Sequence, residues 1–175
     1  MGMIRRNIEY KAPSVMVRLY KNLVRPHLEY GMVAWAQHYV KDKEKLERIQ
    51  RRFTKMIEGF GSLDHVERAR RLGLMSLEER RNRADLIELF RMIKGFSAVT
   101  MEEFFERDMA GKTRGHSYKL RKTRFATETR RHFFSQRVID AWNELREEDV
   151  AVNSIDAFKL RLLERRRTRM DLLKD

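Results

Sequence analysis

The sequence predicts a mostly α-helical protein: a helical bundle followed by a basic, α-rich module that includes a short hairpin or extended segment. Three observations predict this class. Apolar residues recur at three- and four-residue spacing through most of the chain, which is the period of an amphipathic helix. Prolines and glycines fall between these periodic segments, where helices begin and end. Of the 175 residues, 42% are apolar, which is enough to build a buried core.

The first helices are organised around two prolines. Pro13 stands where a helix begins, and apolar residues keep helical spacing until Pro26, which kinks that helix or opens a second one. The helical pattern then continues from Pro26 to residue 36, with a glycine tolerated inside it. We expect three aromatic side chains of this region to pack as a local core: Tyr20, Tyr30 and Trp35.

The next helix is amphipathic, with Asp42 as its candidate N-cap and Gly59 as its terminator. Its apolar stripe lies within residues 46–57. The opposite face is basic and carries five cations: Lys45, Arg48, Arg51, Arg52 and Lys55. Ion pairs with neighbouring acids explain such a face as well as a binding role does, so both interpretations stay open.

Two further helix starts follow from capping residues. Ser62 or Asp64 caps a short helix that Gly73 ends. Ser76 with Glu79 three residues later matches a capping box, and it opens the most regular helix of the chain.

The regular helix ends at Gly95, and the character of the chain changes there. The following residues form a short helix at 101–107 and then a polar, glycine-containing loop. We therefore predict two domains, residues 1–95 and residues 96–175.

The second domain returns to helical spacing. Residues 117–125 alternate enough for a short hairpin or extended segment. A helix follows within residues 133–145, and a polar loop leads to Ser154, the candidate N-cap of the last helix. Past Arg165 the tail is too charged to be core and frays or continues as a solvated helix.

The charge of the chain points to a polyanionic partner. There are 39 lysines and arginines against 26 acids, and the resulting net charge of +13 exceeds what solubility requires. Nucleic acid is the first candidate partner and an anionic membrane the second. The absence of cysteine excludes disulfides, Cys-based zinc knuckles and thiol nucleophiles. Because neither a secretory signal nor an apolar run of membrane-spanning length is present, we expect a soluble protein.

No catalytic centre is evident in the sequence. Polymerases and nucleases use paired carboxylates to hold two metal ions about 3.5–4 Å apart, and the chain has no Asp-Asp pair. Its acidic doublets lie at helix starts or in exposed loops, where capping explains them: Glu78-Glu79, Glu102-Glu103 and Glu147-Glu148. The five histidines lack the spacing of metal ligands. We therefore predict no catalytic residue, no metal site and no cofactor.

The strongest chemical signal is a basic segment in the second domain. Between Lys112 and Arg137, nine lysines or arginines stand against one acid, Glu128. Cations placed on phosphates release counterions, and the rings of Tyr118 and Phe125 offer faces on which an unpaired base stacks at ~1–3 kcal/mol. The alternative is a solvated basic loop in which these two aromatic residues anchor the core.

The residues predicted to contact nucleic acid come from this basic segment and from the earlier amphipathic helix. They are Arg114, His116, Tyr118, Lys119, Arg121, Lys122, Arg124, Arg130, Arg131, Arg51, Arg52 and Lys55. A second group of aromatic residues is predicted to be core rather than binding platform: Tyr20, Tyr30, Trp35, Phe133 and Trp142.

Several strings of the chain are more specific than any single motif. They are LYKNLVRPHLEYGMVAW at residues 19–35, LERIQRRFTKMI at 46–57, RGHS at 114–117, FFSQRV at 133–138 and WNEL at 142–145. Together they resemble the C-terminal region, thumb and post-thumb, of LINE-type non-LTR retrotransposon reverse transcriptases of the chicken-repeat and Jockey-like groups.

This resemblance implies a thumb-like bundle in residues 1–95 that grips template and nascent duplex. It also implies that the basic C-terminal part helps to hold element RNA or target DNA, with nucleic-acid contacts at Arg51, Arg52 and residues 114–124. The catalytic palm of such a polymerase has no counterpart here, so polymerase activity is not expected.

Our first hypothesis is therefore non-catalytic binding of RNA, DNA or both. The alternative is a helical protein-interaction or assembly module, derived from a mobile element, in which apolar helix faces meet a partner. Beyond nucleic acid, the expected partners are a second copy of the chain or the missing polymerase palm. The expected setting is intracellular and nuclear, without a membrane partner.

Overall fold

The structure is a computed structural model of the 175-residue chain. The residues that it describes are 2–31, 33, 39–109, 115–124 and 127–171. This part of the chain is mostly α-helical, as predicted, and contains no β-strand. It forms two compact units, unit 1 (Met1–Met32 and Gln37–Arg81) and unit 2 (Val33–Ala36 and Asn82–Asp175). The division into domains 1–95 and 96–175 stays a prediction.

Unit 1 consists of short helices, one longer helix and the beginning of another. In chain order these are α1 (Gly2–Asn7), α2 (Pro13–Leu19), a π-helix (Tyr20–Val24), α3 (Arg25–Glu29), α4 (Val40–Lys55), α5 (His65–Arg71) and the start of α6 (Leu77–Ile93). Pro13 opens α2, as predicted.

The π-helix has a local cause. In an α-helix the ring of Pro26 would collide with the carbonyl of Asn22, and proline has no N–H to donate. The wider π turn contains Asn22, and the Arg25 N–H donates to the carbonyl of Tyr20, five residues earlier. The interruption of the helix that was predicted at Pro26 is therefore confirmed, and it consists of a π-helix just before the proline.

The helix that follows Pro26 is shorter than predicted. Helix α3 ends at Glu29, and Tyr30 and Gly31 form a turn in which Gly31 has a φ of 65°. Glycine adopts this left-handed conformation without steric cost, so it ends the helix here. The prediction that the helix continues from Pro26 to residue 36 is therefore wrong at the turn of Tyr30 and Gly31. Tyr30 is 82% exposed, so its predicted core position is also wrong, and Trp35 lies outside the described residues.

The core of unit 1 is centred on Tyr20 and Phe53, whose ring centroids lie 5.1 Å apart. The hydroxyl of Tyr20 donates to Gln50 Oε1 at 2.6 Å, and Gln50 Nε2 donates to the carbonyl of Met75 at 3.1 Å. Buried apolar side chains complete the cluster: Ile4, Met16, Val24, Ile57 and Leu74. The buried amide of Gln50 is thus satisfied at both ends, which fixes the side of α4 that faces inward.

Side-chain caps mark the starts of α5 and α6 but not that of α4. Asp42 is not an N-cap, because α4 begins at Val40 and Asp42 pairs with Lys45 at 2.8 Å inside the helix. Asp64 does cap α5 and accepts from the Val66 N–H at 2.9 Å, as predicted.

The start of α6 has two caps. Ser76 Oγ accepts from the Glu79 N–H at 3.1 Å, as predicted. In addition Glu47, which belongs to α4, accepts from the N–H groups of Leu77 and Glu78 at 2.6 and 3.3 Å. A carboxylate is stabilised at this helix end because the N–H groups and the helix dipole are both positive there.

Unit 2 contains the rest of α6 and a set of mostly short helices. These are a 3₁₀ turn (Met101–Glu103), α7 (Glu128–Arg131), α8 (Phe134–Asn143), α9 (Glu147–Val150) and α10 (Ile155–Asp171). The short helix predicted at 101–107 is only the 3₁₀ turn, and α9 occupies the predicted polar loop. Ser154 caps α10 through the Ala157 N–H at 3.1 Å, as predicted, and α10 continues past Arg165.

The core of unit 2 is aromatic. Phe90 of α6 stacks on Phe158 of α10 with ring centroids 4.2 Å apart, and Trp142 of α8 is fully buried beside them. Phe133 is 49% exposed, so its predicted core position is wrong. It precedes α8 and points to solvent while Phe134 turns inward.

No strand forms among the described residues of segment 117–125, for which a short hairpin or extended segment was predicted; its Leu120 makes one antiparallel bridge with Arg107. The Asp108 N–H donates to the Lys119 carbonyl at 2.9 Å, and the Arg121 N–H donates to the Glu106 carbonyl at 2.8 Å. The connecting residues 110–114 lie outside the described residues. In the described chain, no helix is both long enough and apolar enough to cross a membrane.

Candidate nucleic-acid interface

A row of cations covers the outer side of α4. An α-helix turns by about 100° per residue. Around the axis of α4, every residue that lies within about 40° of the direction opposite to the buried Gln50 is basic. They are Lys41, Lys45, Arg48, Arg52 and Lys55, and all five are exposed. We call these five residues the α4 row. At 1.5 Å per residue the row is about 21 Å long.

Ion pairing does not account for the C-terminal part of the α4 row. Within the described part of the chain, the side chains of Arg48, Arg52 and Lys55 make no hydrogen bond or ion pair. Glu47, the acid closest in sequence to Arg48, points the other way and caps α6. Lys45 is the member that does pair, with Asp42 at 2.8 Å. The sequence leaves two interpretations of this face open, ion pairs with neighbouring acids or a binding surface. The unpaired side chains of Arg48, Arg52 and Lys55 agree better with the second.

Arg51 lies beside the α4 row rather than in it. It is exposed and sits about 100° from Gln50, on the side of α4 that faces α5. The pKa of His65 is lowered, mainly by its partial burial and secondly by the positive charge of Arg51. Arg51 therefore faces a neutral imidazole at physiological pH.

The basic segment of unit 2 is exposed, but much of it is paired. Arg121 pairs with Glu106 at 3.2 Å and Arg131 with Glu128 at 3.6 Å. Lys122 pairs with Asp140 at 2.7 Å. Exposed pairs of this kind contribute about 0–1 kcal/mol, so a phosphate can displace the acids at small cost.

The remaining cations of the segment differ in their surroundings. Arg124 is exposed and makes no ion pair among the residues that the structure describes. The guanidinium of Arg130 lies 5.4 Å from the ring centroid of Phe133. Arg114 and Phe125, both predicted contacts, lie outside the described residues.

Lys119, Arg121 and Lys122 line one cleft of about 650 Å³. Arg107 also lines it, and so do the acids Asp108 and Asp140. The cleft is thus of mixed charge, and it is a less favourable phosphate surface than the α4 row.

His116 is buried and structural, which corrects its prediction as a nucleic-acid contact. It is 3% exposed, its Nε2 lies 2.9 Å from the Trp142 carbonyl and its Nδ1 accepts from the Tyr118 N–H at 3.2 Å. Because a carbonyl only accepts, Nε2 is the donor in this contact. No polar atom of this side chain is left for a ligand.

Tyr118 is half-buried against the core of unit 2. Its ring centroid lies 4.9 Å from the Lys94 ammonium and 5.7 Å from the Arg107 guanidinium. Its carbonyl accepts from Trp142 Nε1 at 2.8 Å. The predicted alternative, in which this ring anchors the core, agrees with these contacts better than a free stacking platform does.

The acidic doublets lie where capping places them. Each of the three belongs to the first turn of a helix: α6, the 3₁₀ turn and α9. Among the described residues, no group of three or more His, Asp or Glu is arranged to hold a metal ion.

No protein-family model matches the chain, and neither a characterised protein nor a solved structure is significantly similar to it. The resemblance to reverse transcriptase thumbs therefore stays a hypothesis, and the α4 row is judged on its own geometry. Sequence reasoning missed Lys41 as a member of that row. Its position, opposite to Gln50 on the helix, is the signal that identifies it.

Proposed function

We propose that this protein binds nucleic acid without catalysing a reaction on it, and that the α4 row is the main contact surface. One observation carries the proposal: Arg48, Arg52 and Lys55 stand unpaired, within the described residues, on one exposed face of a regular helix. Cations held in a row at helical spacing match the repeated phosphates of a nucleic acid strand.

The physical advantage of the α4 row is that Arg48, Arg52 and Lys55 reach a phosphate without first breaking an ion pair. A cation without a protein partner gives up only water when it meets a phosphate, and the condensed counterions that it displaces gain entropy. The net positive charge of the chain attracts the same ligand over a longer distance at low salt. Arg121, Lys122 and Arg131 of unit 2 are secondary contacts in this proposal, since each must first leave an acid.

The resemblance to LINE-type thumbs supports the same surface. The string at residues 46–57, which carries part of that resemblance, includes most of the α4 row. A thumb without its palm would grip RNA or DNA and leave the chemistry to another polypeptide. A nuclear setting and a polymerase palm as partner follow from this reasoning and belong to the proposal.

The test is a binding series with and without the α4 row. Fluorescence anisotropy is measured for single-stranded RNA, structured RNA and duplex DNA, each over a range of salt concentrations. The row variant is Arg48→Gln, Arg52→Gln and Lys55→Gln together. On duplex DNA each phosphate contact contributes about 0.9 to the magnitude of the slope of log K against log salt. Loss of three contacts should therefore reduce that magnitude by about 2.7.

The control variant has the same net charge but leaves the α4 row intact. It combines Arg18→Gln on α2 with Arg70→Gln and Arg71→Gln on α5, which are exposed cations of the same unit. Arg18 makes no ion pair among the described residues, whereas both α5 arginines pair with Glu67. We expect this control to keep most of the wild-type slope. Equal losses in the two variants, or a wild-type affinity without salt dependence, would overturn the proposal. A stable oligomer without affinity for any polyanion, seen by light scattering, would favour the interaction-module alternative.

A further inference from the structure

Unit 1 contains a small pocket whose lining is basic. It lies beside the π-helix and has a volume of about 130 Å³. Lys21, Arg25 and Arg80 line its wall, together with the backbone at Gly73 and the buried side chains of Tyr20 and Gln50. None of the described residues that line it is an acid, whereas the two larger clefts of unit 2 are both lined by acids.

The π-helix brings the cations of this pocket together. The wide turn Tyr20–Val24 places Tyr20 in the core, while Lys21 stays at the surface and Arg25 follows at the turn's end. π turns are rare and occur often at functional sites. Here the turn has a structural cause in Pro26, so the arrangement of charges is what suggests a ligand.

The donors of the pocket are only partly used. Within the described residues, the Lys21 ammonium makes no hydrogen bond or ion pair. Arg25 Nε lies 3.9 Å from Glu29 Oε1, which is beyond hydrogen-bond distance. Arg80 binds the Glu29 carboxylate through two nitrogens, Nε and Nη2. Among the described residues, Glu29 is the carboxylate that these cations contact, while the charge of Glu79 acts on Arg80 without a contact. Three cations against these two acids leave the surroundings of the pocket positive.

The floor of the pocket offers no competing charge. Gln50 is satisfied by Tyr20 and by the carbonyl of Met75. Burial, and after it the charge of Glu29, raises the pKa of Tyr20, so this hydroxyl stays protonated and neutral. The free donors of Lys21 and Arg25 are therefore the groups available to a ligand.

We propose that this pocket binds a phosphomonoester group, held by Lys21, Arg25 and Arg80. Such a group carries a charge of about −1.5 to −2 at pH 7, opposite in sign to the positive surroundings of the pocket. The volume is slightly below the roughly 150 Å³ of a cavity that accepts benzene, so five heavy atoms of a phosphate fit while a whole nucleoside does not. A backbone phosphodiester has one negative charge and two bulky substituents, and it suits the pocket less well.

The pocket is distinct from the α4 row. Gln50 lines the pocket, and the row lies on the opposite side of the same helix. The inference therefore goes beyond the proposed nucleic-acid binding and does not depend on it. The phosphomonoester has two natural sources, a free phosphate compound or the terminal phosphate of a nucleic acid strand.

The experiment measures phosphate binding by ³¹P NMR and titration calorimetry on the full chain. Inorganic phosphate and a nucleoside monophosphate are the probes, and a dinucleoside phosphodiester is the comparison ligand. We expect Lys21→Met and Arg25→Gln each to weaken phosphomonoester binding about tenfold, the effect of losing one charge-assisted hydrogen bond. Arg18→Gln, an exposed change on the neighbouring α2, is expected to leave it unchanged.

The controls separate this pocket from the α4 row. The triple α4-row variant should bind phosphomonoesters as the wild type does, while its nucleic-acid affinity falls. Absence of phosphomonoester binding, or an equal loss in Arg18→Gln, would overturn the pocket. Equally tight binding of the phosphodiester would overturn the assigned ligand class.

A final arm identifies the source of the phosphate. Short oligonucleotides with a 5′-phosphate or a 5′-hydroxyl are compared at high salt, where the α4 row contributes little. A preference for the 5′-phosphate that Lys21→Met abolishes supports the pocket and indicates a strand end. Binding of the free compounds without such a preference supports the pocket and indicates a small phosphorylated molecule.

Discussion

Arg137 belongs to the basic segment by sequence, but its contacts indicate that it stabilises the fold. Its Nε and Nη2 bind the two carboxylate oxygens of Asp85 at 2.7 and 2.8 Å. It also donates to the carbonyls of His132 and Val33 at 3.1 and 3.0 Å. The perturbation that tests this role is Asp85→Ala, which leaves the guanidinium with its carbonyl partners but without its carboxylate.

The expected magnitude follows from burial. The side chains of Asp85 and Arg137 are 3% and 15% exposed. Removing one partner of a buried pair leaves an uncompensated charge, which costs about 3–5 kcal/mol in the free energy of unfolding. The pair between Lys122 and Asp140 is the matched control, because its N–O distance is also 2.7 Å but its side chains are 57% and 66% exposed. Asp140→Ala should cost no more than about 1 kcal/mol.

The assay is urea unfolding followed by tryptophan fluorescence, since Trp142 is fully buried in unit 2. A third variant, Asp85→Leu with Arg137→Met, replaces both charges by apolar side chains and should recover most of the lost stability. The reasoning is refuted if Asp85→Ala and Asp140→Ala cost the same. It is also refuted if the double variant is as unstable as Asp85→Ala.

Three further predictions use other parts of the structure. His116→Ala should lower the free energy of unfolding by about 2–4 kcal/mol, because the Trp142 carbonyl and the Tyr118 N–H lose their bonds to the ring and a buried side chain is removed, yet leave nucleic-acid affinity unchanged in anisotropy measurements. Tyr30→Ser should change stability by less than about 0.5 kcal/mol in the same urea assay, since the side chain is 82% exposed; a loss above about 1 kcal/mol would contradict the turn described here. Hydrogen bonds from Arg70 and then Arg71 lower the pKa of Glu67 to about 2. Its stabilising contribution is therefore complete above the ordinary pKa near 4.5 and is lost as pH falls towards 2, so acid titrations of the wild type and Glu67→Gln should converge at low pH.

Local signals predicted those features that depend on neighbouring residues. Pro13 begins a helix because its φ and its missing N–H suit the first turn. Asp64 and Ser154 cap helices because their side chains reach N–H groups two or three residues away. The failure at Asp42 is also local in origin: an acid in the first turn is favourable whether or not it is the cap.

Residue type alone did not predict which aromatic side chains are buried. Tyr30 and Phe133 have the same apolar character as Tyr20 and Trp142, but only the latter two are buried. Periodicity alone does not say where a helix begins or stops, and one residue of shift rotates the inward face by about 100°. Phe133 and Phe134 illustrate this, since these neighbouring residues are 49% and 9% exposed.

The sequence by itself determined the helical class, the main helix starts and the excess of positive charge. These follow from residue type and from spacing along the chain, which are short-range properties. Only the tertiary structure decided which cations are available. Glu47 lies next to Arg48 in sequence, yet it caps α6 and leaves Arg48 without an ion pair among the described residues. Arg137 lies within the basic segment, yet a carboxylate 52 residues away holds it inside. Charge pairing depends on contacts between distant segments, and those exist only once the chain has folded.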